Sequence, residues 1–366
     1  MKKYSLIYAA LLAIFSLSSC IREDASPIEI PPIGTVISPL VGGPTQPNQV
    51  WIDLNLEHQT TNRRDAWELA FTNDKHFRVL LNSSIMMAVG EIPNAYDIDA
   101  VTESSVAQLK YKVQIADFSD NSKYIDDPSG NYATQTSGMA PVSSNDNENP
   151  VYLLNLGRKI FEGKVDVGAS MPTDGQERGW MKIRVLRHQD GYKLQYAKLS
   201  ETTHKEVIIK KNTAYNFQFF SLMNESEVLI QPEKNKWHFV YTVMTNLTDV
   251  GTFYTSYIFS DVVLTNIHHQ VKSYMVTVPN GVNTDEYFAN FKKSNVDETK
   301  LNNDDQRAIG SNWRSIAEQS TSEASVRADR FFILKDANGT YFKIRFLKMR
   351  SAQGERGYPE FEYQSL

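Results

Sequence analysis

The sequence of 366 residues contains one cysteine, Cys20, so no intramolecular disulfide can brace the fold. It also lacks an apolar run of the roughly 20 residues that a membrane-spanning helix needs; the stretch from Leu6 to Leu17 is shorter than that. Long basic runs are missing, and a formal net charge of -5 with both signs mixed offers nothing to track a phosphate backbone. No nucleic-acid partner is expected. Phosphate-cradling glycine loops, an H-E-x-x-H helix and a G-x-S-x-G elbow are absent as well. The paired acids Asp126-Asp127 and Asp304-Asp305 sit in polar runs and read as solvated loops or helix starts. The residues therefore point away from an enzyme.

The N-terminus is informative. Lys2 and Lys3 followed by Leu6 to Leu17 have the charge and length of a secretory signal peptide, expected over residues 1–19. The next residues, Leu17-Ser18-Ser19-Cys20, resemble a lipobox, which implies a lipid on Cys20, membrane attachment and no free thiol in the exported chain. Ile21-Arg22-Glu23-Asp24 resembles the acid-rich sorting signal of Bacteroides-type lipoproteins. That places the protein on the outer membrane facing the cell exterior, with a periplasm-facing orientation as the alternative. Residues 20–49 hold six prolines and no aromatic ring after the cysteine, a composition that predicts an extended tether.

From Val50 onward the chain is apolar enough to bury a large core, and its many aromatics alternate with Val, Ile and Thr as strands prefer. The expected fold class is all-β, mainly antiparallel, with few short helices. Trp51 to Leu56, Trp67 to Phe71 and Phe77 to Leu81 read as successive strands, and the Ser-, Asn-, Asp- and Gly-rich stretch from Asp117 to Pro150 reads as a long surface loop. The layout then repeats. Trp67-Glu68-Leu69-Ala70-Phe71 returns as Trp237-His238-Phe239-Val240-Tyr241, about 170 positions later. Each is followed by a strand ending in asparagine, Asn82 and Asn266, and each half closes on a Lys-Ile-Arg hairpin, at Lys182 and Lys343. A repeat of this size predicts two tandem β-sandwich domains, 50–200 and 201–366, dividing near Leu199 to Lys205; one large β domain is the alternative.

Phe331 to Leu347 with Gly357-Tyr358-Pro359, Trp237 to Tyr241 and Arg64 to Phe71 together resemble the HmuY family, over Val50 to Leu366. The resemblance implies an all-β surface lipoprotein that captures haem, drawing on host haem-carrying proteins, and passes it to a TonB-dependent outer-membrane receptor. Family members hold the iron between two His or two Met side chains. Haem iron is the one metal expected, and the residues leave its ligands open. His268 and His269 directly follow a strand end, Met275 lies close behind, and Met86 and Met87 occupy the matching place in the first half. A second ligand could also come from the Val282 to Ala317 region. A non-haem adhesive or structural β-domain lipoprotein is the other reading.

Overall fold

The alternating segments do form antiparallel strands, and the computed structural model describes residues 34–134, 138–315 and 324–366. The signal peptide, Cys20 and the sorting residues lie outside the described residues, as does the chain from residue 316 to 323. The first repeat runs through β1 (Thr35–Ile37), β2 (Asn48–Asp53), β3 (His58–Arg63), β4 (Leu69–Thr72), β5 (Val79–Leu81), β6 (Ala88–Glu91), β7 (Tyr152–Asn155), β8 (Trp180–His188) and β9 (Gly191–Lys198). The second runs through β10 (Lys205–Ile209), β11 (Phe217–Ser221), β12 (Ser226–Val228), β13 (Phe239–Asp249), β14 (Tyr254–Thr265), β15 (Lys272–Thr277), β16 (Arg330–Lys335), β17 (Tyr341–Arg350) and β18 (Arg356–Ser365). Among the described residues helix is confined to short pieces such as Thr284–Asn290.

The strands form four sheets, ordered β10-β9-β8-β7-β6, β12-β11-β4-β5, β14-β13-β2-β3 and β1-β18-β17-β16-β15. The orders correct the expected division. Strands β1 to β3 of the first repeat pair with β18 and β13 of the second, while β10 to β12 of the second pair with β9 and β4 of the first. The repeat is real, but each copy gives its first three strands to the other, and residues 34–366 form one compact unit. Two lobes result: one is the continuous stretch from β4 to β12, and the other joins β1–β3 to β13–β18. Leu199 to Lys205 therefore lies inside a lobe, between β9 and its ladder partner β10.

The asparagines that end β5 and β14 secure the crossings. Asn82 donates from Nδ2 to the carbonyls of Arg64 and Trp67, both at 2.7 Å, and Asn266 donates to those of Lys234 and Trp237 at 2.9 and 3.0 Å. Each asparagine thus holds the segment that leads from the exchanged hairpin into the next strand.

The sheets stack as four layers. Leu69, Phe71, Ile183, Leu194 and Phe220 fill the first interior, and Val50, Ile52, Phe239, Ile344 and Phe361 the corresponding one of the other lobe. Because β4 and β13 lie in middle layers, both their faces are buried. Leu69-Ala70-Phe71 and Phe239-Val240-Tyr241 therefore read as continuous apolar runs rather than as alternation.

Two further expectations need correction. The tether does not extend to Gln49: β1 is a paired edge strand, Val41 is buried, and the prolines from Pro39 to Pro47 form turns between β1 and β2. Gly357, at φ 84°, lies against this turn so closely that a Cβ there would sit 2.0 Å from the carbonyl oxygen of Gly43. The described residues of the 117–150 stretch form no strand, as expected, yet they are not a solvated loop. Of its few apolar residues, Tyr124, Ile125, Met139 and Val142 are inserted into the core, while Phe118 stays exposed.

Candidate functional site

The two middle sheets meet face to face, and the repeated tryptophans line the join. Trp51 packs edge-on against Trp237 with ring centroids 4.7 Å apart, and Trp67 packs likewise against Phe219 at 4.8 Å. These rings, with Ala70, Val240, Met244 and Leu264, leave an open cleft between the sheets whose free interior is about 140 Å³. Edge-to-face ring pairs of this kind hold one another in place and leave ring faces for a ligand.

At one end the cleft is bounded by the one-turn 3-10 segment Ile267–His269. His268 stacks on Tyr132 at 4.6 Å and 20°, and meets the edge of Phe217 at 5.1 Å. Tyr132 in turn donates to Asp74 Oδ2 at 3.2 Å. Burial pushes the His268 imidazole down to about 4, and the Asp74 charge offsets this only in part. At neutral pH the ring is uncharged and keeps a lone pair for an electrophile such as iron.

Asp126 lines the same cleft. Its carboxylate accepts from the backbone N–H groups of Leu81 at 2.6 Å and Gly138 at 3.3 Å, yet burial dominates and raises its pKa to about 7. The solvated-loop expectation for Asp126 therefore fails. The loop is polar in composition, but its backbone folds back over the cleft and is held there by Gln306, which donates to the carbonyl of Pro128 at 3.1 Å.

The expected haem-ligand candidates are not gathered in one place. His268 lines the cleft. His269 is turned toward Lys234 and Asp336 instead, because consecutive residues on a 3-10 turn point about 120° apart. Met275 is 36% exposed on β15, and its sulfur accepts from Arg330 at 3.5 Å. Met86 caps the matching turn Ser83–Ile85 in the left-handed conformation and borders a separate small pocket with Gln114 and Trp180, while Met87 is buried in the lobe core. From the Val282 to Ala317 region, Gln306 reaches the cleft; Ala317 lies outside the described residues.

Sequence reasoning missed Tyr132, Asp126, Gln231 and Met244. The available signal was the tryptophan repeat itself, since rings recurring at equivalent positions mark a shared face. His238, just before β13, is a structural residue. Its Nδ1 accepts from the backbone N–H of Leu54 at 3.1 Å, and burial lowers its pKa against the pull of Asp53 and Asp336.

Among solved structures, the crystal structure of apo PinO from Porphyromonas gingivitis is similar at 13% identity, covering 45% of this chain and 86% of that one, with a TM-score of 0.17. No curated protein is a significant match to the chain. The family model described as HmuY protein matches residues 45–363, most of the chain. With its all-β body and repeated strand order, the chain belongs to the HmuY family.

Proposed function

We propose that the protein binds haem, or a related flat tetrapyrrole, in the cleft between the two middle sheets, with His268 as an iron ligand. The observation that carries this reading is the uncharged imidazole of His268 at the mouth of a cleft walled by aromatic rings. A single imidazole suits an iron whose equatorial positions are filled by a macrocycle. The rings suit the apolar faces of such a ligand. Met244 is a further soft donor in the same lining.

In this reading the lipid on Cys20 tethers the protein to the outer membrane, and the bound tetrapyrrole is handed to a TonB-dependent receptor. Among the described residues no helix is long and apolar enough to cross a membrane, in keeping with attachment through a lipid. Retention of a processed Cys20→Ala variant in the membrane fraction would remove the anchor from this account.

Haemin titration of the unacylated exported chain is the direct test. The parent should give a shifted Soret band with six-coordinate Q bands. His268→Ala should abolish the low-spin spectrum, and His269→Ala should leave it intact. An unchanged spectrum in His268→Ala would exclude this ligand, and no haem spectrum in the parent would favour an adhesive or structural role.

A further inference from the structure

The pseudo-symmetry of the cleft is broken at one point. Trp67 and Trp237 occupy equivalent positions ahead of β4 and β13, and the Trp67 indole donates across the cleft to Gln49 Oε1 at 3.1 Å. Ladder registers place Phe217 of β11 where β2 carries Gln49, so the matching position offers Trp237 no acceptor. Its Nε1 has no hydrogen-bond partner among the described residues. Gln231, 2% exposed and in the same lining, has both Nε2 and Oε1 unpaired as well.

Buried polar atoms are nearly always paired, because an orphan has lost water and gained nothing. Two donors and one acceptor left unpaired in the cleft define the edge of the group that would complete it. That edge carries an N–H or O–H beside a carbonyl and bears no charge. A carboxylate offers acceptors alone and would set its lone pairs against Gln231 Oε1. A lactam satisfies all three atoms. Its ring N–H donates to Gln231 Oε1, while its carbonyl accepts from Gln231 Nε2 and, on the second lone pair, from Trp237 Nε1.

We propose that Gln231 and Trp237 read the lactam edge of a flat conjugated ligand. This inference rests on the flat-ligand reading of the cleft and narrows it to open-chain tetrapyrroles, which carry lactam ends, or to fused rings bearing the same edge.

The test titrates the unacylated exported chain with biliverdin, riboflavin and haemin, following tryptophan quenching and pigment absorption in the parent and in Gln231→Leu. Biliverdin should bind the parent. Gln231→Leu should weaken it by about tenfold or more, as expected where a hydrogen-bonding site loses its partner. A urea midpoint no lower than the parent's would show that the variant folds. Riboflavin binding with the same Gln231 dependence would keep the lactam chemistry and change its source. Unchanged or tighter biliverdin binding in Gln231→Leu would mean that ordered water alone satisfies the amide, and the inference would fall. Haemin binding without either lactam pigment would also overturn it while sparing the haem reading. Lactam binding without haemin would do the reverse, and no binding by any of the three would end both.

Discussion

Asp126 and His268 face the same cleft and titrate abnormally in opposite senses. Burial raises the Asp126 carboxyl from 3.8 to about 7, so the folded protein holds a proton that the unfolded chain releases. Stability from this group therefore falls as pH rises from about 4 to about 7. Burial lowers His268 from 6.5 to about 4, so the unfolded chain takes up a proton that the folded protein refuses. Its contribution is complete above about 6.5 and is lost as pH falls toward 4. Each effect is of the order of 4 kcal/mol, at about 1.4 kcal/mol per pK unit, and the two slopes largely cancel. Asp126→Asn should unmask a loss of stability on acidification below pH 6.5, and His268→Gln a loss on raising pH from 4 to 7. Urea midpoints across that range measure both, and parent-like profiles in the two variants would refute the assignment. Neither shift is legible in the sequence, where Asp126 stands in a polar run and His268 beside a second histidine; the cause is an enclosure built by distant strands.

At the scale of elements, the Lys-Ile-Arg hairpins explain themselves. Lys182 donates to the carbonyls of Val101 and Glu201, and Lys343 to those of Phe288, Ala289 and Phe291 at the end of the Thr284–Asn290 helix. Both ammonium groups are buried, which lowers their pKa values. Each lysine pins to its sheet a segment that pairs with no strand of that sheet. Lys343→Met keeps the length but leaves three carbonyls without that donor, and it should cost about 2–4 kcal/mol. Chemical denaturation reads the loss, and hydrogen exchange should locate it in residues 284–291. A variant within 0.5 kcal/mol of the parent would show that water replaces the ammonium. The motif was visible as a repeat, whereas its task was not, because the partner carbonyls lie far away in sequence.

For the whole molecule, the exchange of β1–β3 and β10–β12 predicts which fragments fold. Residues 64–232 contain every strand of the first two sheets, from β4 through β12. Residues 34–203 carry β1–β3 without β13 and β18, and leave β4 and β9 without β11 and β10. The first fragment should give cooperative unfolding and slow amide exchange, and the second should aggregate or stay unfolded. A well-folded 34–203 fragment would mean that the hairpins close within their own repeat, contrary to the ladders.

The sequence by itself determined the all-β class, the strand positions and the repeat, because alternation and the spacing of tryptophan, asparagine and lysine are local or periodic signals. Tertiary structure decided which repeat each strand joins, since β2 presents the same apolar pattern to either set of partners and pairing depends on the crossing segments held by Asn82 and Asn266. It also decided that one of two adjacent histidines enters the cleft, that a polar loop supplies Asp126 and Tyr132, and that Gln231 and Trp237 remain unpaired. Those properties arise from enclosure between residues far apart in the chain, and enclosure leaves no mark on composition or period.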